Sequence, residues 1–183
     1  MACALSWSSP AQAFLAYELE AFGKLNKEPA RGQWVLGYRV TSGFGIRRSP
    51  CRGCSSYHRG VDLATPVGTK LHVPARMVTP EDGERYKARC RPASQTGGGG
   101  LVLEILMLDR GVMYQVLHLN SCFVNENEVA ATTGNSGVGT GPHVDFRKIL
   151  TESDNFDTTG KEFVPISEFE VRWFLSGVRP TNP

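Results

Sequence analysis

Three of the four histidines stand in settings that could do chemistry. His58 opens HRGVD, in which Asp62 follows four positions on across a glycine-containing turn, so an imidazole and a carboxylate can meet at one point. His143 and Asp145 lie two apart in GTGPHVDF, and on a strand that spacing puts both side chains on one face. His118 comes near the end of the apolar run MYQVLHL. A turn pair and a strand pair that converge could hold a divalent cation, because a catalytic zinc takes three protein ligands and keeps one position open. Imidazoles beside such a centre can transfer protons near neutral pH and stabilise an oxyanion. His72, in KLHVPA, has apolar neighbours and is assigned to structure.

The elements that must position these residues are short β-rich runs. QWVLGYRVTSGFG, KLHVPARMVTP, LVLEILMLD, VMYQVLHL and VDFRKIL are separated by glycine and proline and predict a mostly antiparallel β domain. QTGGGG reads as a tight turn before the strand 101–108, which DRG joins to 112–119 as a hairpin. No Gly-Lys-Ser/Thr follows the glycines, so a phosphate loop is not indicated. Residues 11–25 carry apolar side chains three and four apart and predict an N-terminal helix, while the tail ISEFEVRWFLSG fits a strand or a short helix.

Length and composition bound the rest. A chain of 183 residues, 40% hydrophobic and 21% charged, fits one globular unit. A net charge of +2 gives no case for nucleic acid, and no apolar run reaches a membrane span. The N-terminus lacks a basic residue before its apolar stretch and reads as a poor secretory signal. Five cysteines make an odd count; Cys51 and Cys54 are expected to be loop thiols, with a local disulfide as the alternative, and Cys122 a buried thiol. A cysteine hydrolase using Cys122 and His118 is disfavoured. Glu104 and Asp109 are expected to be solvated, and Arg59 and Arg147 could hold a substrate carboxylate.

The order SGFGIR, HRGVDLATPVGT, GGGG before a strand, YQVLHLNS and TGNSGVGTGPHVDF, over residues 40–150, resembles the M23 zinc metallopeptidases of the lysostaphin and LytM type. The resemblance implies a mainly β fold, an antiparallel sheet of the M23/LytM peptidase kind, here with an added N-terminal helix. It divides the chain into a helical extension (1–32), the peptidase-like domain (33–150) and a C-terminal extension (151–183) that packs on the domain or docks a partner. It further implies metal ligands at His58, Asp62 and Asp145, with His143 and His118 as the catalytic pair. Asp145 departs from the family, which has a second histidine there. Aspartate is still a metal ligand, and two carboxylates would widen the acceptable metals from Zn2+ toward Mn2+ and move activity to higher pH. The implied activity is hydrolysis of a peptide bond in a peptidoglycan stem or cross-bridge. The expected partners are peptidoglycan peptide and phage tail or baseplate proteins, with action on the bacterial wall, as a virion component or by way of a lysis or secretion system. The alternative is an inactive M23-like module that binds wall peptide or serves as a scaffold.

Overall fold

The computed structural model describes residues 25–72, 86–108, 110–125 and 129–177. Strands β1 (Trp34–Val35) and β2 (Tyr38–Ser42) form a hairpin whose turn residues, Leu36 and Gly37, both have positive φ. β3 (Gly45–Ile46) and β4 (Tyr57–His58) make a separate two-stranded ribbon. Next come β5 (Val61–Ala64), β6 (Lys70–His72), β7 (Tyr86–Arg91), β8 (Leu101–Met107) and β9 (Val112–Val124). β10 (Val129–Thr133), β11 (Val144–Leu150), β12 (Phe163–Val164) and helix α1 (Glu168–Ser176) complete the described elements. The main sheet runs β1-β2-β5-β11-β9-β10-β6, all antiparallel, with β8 also on β9, β7 on β8 and β12 on β11. This is the mainly β architecture expected, including the hairpin of β8 and β9.

Alternation along the strands separates a core face from a cleft face. Val61 and Leu63 on β5, Val144 and Phe146 on β11, and Tyr114 and Val116 on β9 are buried in the main core. α1 covers that face: Phe174 stacks on Phe146 with ring centroids 5.4 Å apart and meets Tyr114 edge-on at 5.4 Å. Ser167 caps the helix and forms a capping box with Glu170, and Gly177 ends it in the left-handed conformation. The tail is therefore helical, because its apolar residues meet the sheet at helical spacing. Among the described residues the helix is C-terminal; the predicted N-terminal helix lies, but for its last residue, outside them. No described helix is long and apolar enough to cross a membrane.

The local Cys51–Cys54 disulfide, the alternative reading of that pair, is the one found, while the expectations for Cys122 and Glu104 fail. Cys51 is bonded to Cys54, and Cys122 to Cys90 on β7, so neither pair is a set of free thiols and Cys122 cannot act as a nucleophile. β9 runs past the start of β8, which brings Cys122 within a 5.9 Å Cα–Cα reach of Cys90. Glu104 is buried, not solvated, because Arg89 at 2.6 Å, Arg91 at 3.0 Å and the Gln115 amide at 2.7 Å all close over its carboxylate. Asp109 lies outside the described residues. His72 ends β6, exposed, with the Gly177 backbone against it.

Candidate metal centre

Asp62 on β5 and Asp145 on β11 are directly opposite one another in the register. Two carboxylates facing across neighbouring strands repel each other unless cations hold them. Here three groups do. His58 Nε2 lies 3.1 Å from Asp62 Oδ1 and 3.4 Å from Asp145 Oδ1. Arg47 Nη1 bonds Asp62 Oδ2 at 2.9 Å, and Arg147 donates from Nε (2.9 Å) and Nη2 (2.7 Å) to Asp145 Oδ2. The inner oxygens thus point at one spot, and the outer ones are taken by arginine.

Local structure explains the convergence. Gly60 in the turn between β4 and β5 packs on β11 so closely that a Cβ there would lie 2.2 Å from Asp145 Oδ1, 2.5 Å from the Phe146 carbonyl and 2.8 Å from Arg147 Cγ. The His58 ring is oriented from behind, with Nδ1 2.9 Å from the Gly43 carbonyl and 3.1 Å from Ser42 Oγ. Nδ1–H donates to that carbonyl and leaves Nε2 facing the carboxylates.

The donor set fits a cation. One ligand atom each from His58, Asp62 and Asp145 lie within 4.8 Å of one another. His58 Nε2 and Asp145 Oδ1 are buried polar atoms without a hydrogen-bond partner, which is the condition a metal would relieve. In the metal-free chain, burial opposes a charge on His58, but Asp145 and Asp62 bring its pKa up to about 9. A proton there occupies the position a metal would take. Burial also works against the charged form of Asp145, yet Arg147 and then His58 hold its carboxyl well below the ordinary 3.8.

His118 and His143 stand beside this centre with ring centroids 4.4 Å apart. Nδ1 of His118 lies 2.7 Å from the Ser136 carbonyl and Nδ1 of His143 lies 2.7 Å from the Gly141 carbonyl. Both rings therefore donate backwards into the backbone, which leaves each Nε2 a lone pair. Burial lowers the His118 pKa from its ordinary 6.5, so that ring is neutral at neutral pH. His118 also adopts φ 63°, a left-handed conformation that is strained for a residue with a side chain. It falls where the pairing of β9 shifts register, and the irregularity brings its ring into the cleft instead of the core.

All five residues line one cleft of about 1440 Å³. One wall carries the β3–β4 ribbon with Phe44, Ile46 and Tyr57, closed by Cys51–Cys54 and by Ser49 Oγ, whose one proton is shared between the carbonyls of Cys51 and Cys54, each 2.8 Å away. The other wall is backbone against backbone. Val138 N–H donates to Gly98 O (2.8 Å), His118 N–H to Gly99 O (2.9 Å) and Leu101 N–H to Ser136 Oγ (2.9 Å). A Cβ at Gly137 would come 2.3 Å from Gly98 O, so the glycines of TGGGG and NSG serve close approach. Ser136 is structural, as its hydroxyl also donates to Leu119 O at 2.7 Å.

Sequence reasoning passed over Ser42, Gly43 and Arg47, although all lie in or beside SGFGIR; nothing in their spacing says that they orient His58 and Asp62. It also offered Arg147 to a substrate, whereas that guanidinium is engaged by Asp145. Arg59 lies over the Phe163 ring at 4.8 Å.

No protein-family model matches the chain. An uncharacterized metalloprotease of Haemophilus influenzae is 34% identical over 117 residues, covering 59% of this chain; the chain spans 22% of that relative's length. The catalytic domain of the antimicrobial peptidase lysostaphin from Staphylococcus simulans superposes with a TM-score of 0.50 at 19% identity, over 74% of this chain and 94% of that one. Whole lysostaphin superposes with a TM-score of 0.51 at 16% identity, over 86% of this chain and 59% of that one. The fold is that of the lysostaphin catalytic domain, the M23 type that the sequence resembles.

Proposed function

We propose that the chain is an M23-type metallopeptidase that hydrolyses a peptide bond in a peptidoglycan stem or cross-bridge. The observation that carries this reading is the convergence of His58 Nε2 with Asp62 Oδ1 (3.1 Å) and Asp145 Oδ1 (3.4 Å), buried without a well-aligned hydrogen bond to His58 Nε2 or Asp145 Oδ1, in a cleft beside two imidazoles. Similarity to a metalloprotease and to an antimicrobial peptidase supports it.

His58, Asp62 and Asp145 would hold the cation, zinc first and manganese second. When bound, such an ion supplies Lewis acidity at the scissile carbonyl and lowers the pKa of a water. The remaining work falls to the chain. Of His118 and His143, each fixed through Nδ1, one would accept a proton at Nε2, donate it to the developing oxyanion and pass it to the leaving amine, while the other would orient the attacking water through its Nε2 lone pair. The two walls position an extended peptide between them. Phe44, Ile46 and Tyr57 give it apolar contact, and Arg31, Arg48 and Arg59 line the cleft with positive charge that suits a peptide bearing carboxylates. The two disulfides support work in an oxidising setting such as a wall or a virion surface, in keeping with a phage tail or lysis context.

A second reading, a non-catalytic wall-binding or scaffold module, draws on one observation: Arg47, Arg147 and a proton on His58 neutralise both carboxylates without a metal. Elemental analysis of untagged protein purified without chelators, paired with mass spectrometry of digested peptidoglycan, separates the two. About one zinc per chain and new peptide termini that vanish with chelator are expected. No metal after zinc is supplied, together with an intact wall, would overturn the peptidase reading, and co-sedimentation of the chain with intact peptidoglycan would then support the binding module.

A further inference from the structure

Resting on the metal-centre reading above, we infer that Asp145 and Arg147 act as a unit, in which Arg147 is a positioning residue that turns an anionic carboxylate into a neutral, single-atom donor equivalent to an imidazole. A carboxylate differs from imidazole in two respects as a ligand: it carries a full negative charge, and it offers two oxygens in place of one nitrogen. Arg147 removes both differences. Its Nε and Nη2 both bond Oδ2, at 2.9 and 2.7 Å, so that oxygen is engaged and only Oδ1 remains for His58 and the cation position. Its charge cancels that of the carboxylate within hydrogen-bonding distance, in a setting where Asp145 is 2% exposed.

Two further features hold the pair in this arrangement. Asp145 and Arg147 are two apart on β11 and so share its cleft face, and Gly60 packs on both, leaving no room for a Cβ against Oδ1 or Arg147 Cγ. Asp62 is different. Arg47 Nη1 makes a single contact to its Oδ2 and reaches it from the separate β3–β4 ribbon. Both carboxylates are charge-compensated by an arginine, but Asp145 is gripped by two hydrogen bonds and Asp62 by one, so Asp145 is the member held to a single free oxygen. The centre should then keep the zinc preference of a site with one carboxylate, in place of the broadened preference that two free carboxylates would give.

A double-mutant cycle on zinc and manganese affinity tests this, by competition with a chromogenic chelator on the full chain for wild type, R147Q, D145H and D145H/R147Q. R147Q leaves Asp145 fully anionic with Oδ2 free, so its zinc-to-manganese affinity ratio is expected to fall about tenfold. D145H should weaken zinc, because the histidine leaves the Arg147 charge uncompensated beside the cation. The double variant should recover to within a few-fold of wild type. The same change of the zinc-to-manganese ratio on adding R147Q to D145H as to wild type would overturn the inference, since it would show two independent positions. If D145H does not fold, the zinc-to-manganese affinity ratio of R147Q decides. A ratio at least tenfold closer to one than in wild type supports the unit, and an unchanged ratio overturns it. Wild-type protein that binds no metal at all would defeat the metal-centre reading itself, a result distinct from failure of the coupling.

Discussion

His118 and His143 are anchored alike, each through Nδ1 to a backbone carbonyl, but their backbones are not alike. His143 bridges to Gly134 in extended pairing, whereas His118 is held at φ 63°. His143→Ala is expected to lower turnover about 10²- to 10⁴-fold while zinc content stays at the wild-type level, because a proton-handling side chain is removed and the ligands are not. Retained turnover in that variant, or loss of its zinc, would contradict the assignment. At His118 two substitutions are informative together. His118→Gly should be more stable than His118→Ala by about 1 kcal/mol in urea denaturation, because glycine relieves the left-handed strain and alanine does not. At this scale the sequence was a good guide to which side chains share a face, since period-two spacing places His143 with Asp145 on any strand. It was a poor guide to Arg47, whose grip on Asp62 depends on a ribbon outside the main sheet, whereas Arg147 follows Asp145 by two on β11 and shares its face by the same period-two rule.

α1 and β7 brace the main sheet by different chemistry, and each makes its own prediction. Burial opposes the charge on Glu170, but Lys148, the Tyr114 hydroxyl (2.6 Å) and the Ser167 N–H outweigh it and hold the carboxyl below its ordinary 4.5. A folded-state pKa below the unfolded value means that the stabilisation is complete above about pH 4.5 and is lost as pH falls through the folded value. Glu170→Gln should therefore flatten the acid limb of the stability curve below pH 4.5, read by urea melts across pH, and an unchanged limb would remove Glu170 from the account. Cys90–Cys122 closes a sequence separation of 32 residues between β7 and the far end of β9. Its loss in C90A/C122A is expected to reduce stability by about 2–4 kcal/mol. Alternation and β-branching made β5, β8, β9 and β11 legible, because each carries a buried face. The disulfide was not legible, as sequence alone says nothing about how far β9 overruns β8. Glu104 was misread for a related reason: a strand pattern cannot tell which polar residue will have two arginines and a glutamine folded over it.

Seen whole, the molecule sets a cationic cleft opposite a helix-covered core. Arg31, Arg48 and Arg59 line the cleft, and its two acidic residues, Asp62 and Asp145, are each engaged by an arginine. Cleavage of a carboxylate-bearing peptide should therefore slow as ionic strength rises, whereas an uncharged peptide of equal length should be little affected. Arg48→Glu should raise KM for the acidic peptide several-fold and leave kcat near its wild-type value; equal behaviour of the two peptides would count against charge recognition. The M23-type architecture itself was legible from the order of motifs over 40–150, while the course of the N-terminal segment lies outside the described residues. The two walls of the cleft differ in one further respect. The glycine wall is joined to the His118 and His143 loops main chain to main chain, so nearly any replacement there disturbs the reacting groups. The β3–β4 ribbon is its own small sheet, its connecting loop clipped by Cys51–Cys54; His58 ends its β4 strand and Arg47 directly follows its β3 strand, so its base is part of the centre while its loop is not. The cleft thus resembles a vice with one jaw cast into the frame and the other fixed only at its base. Exchange of residues 48–56 as a cassette is therefore expected to alter the outer face of the cleft while leaving His58 and both carboxylates in place.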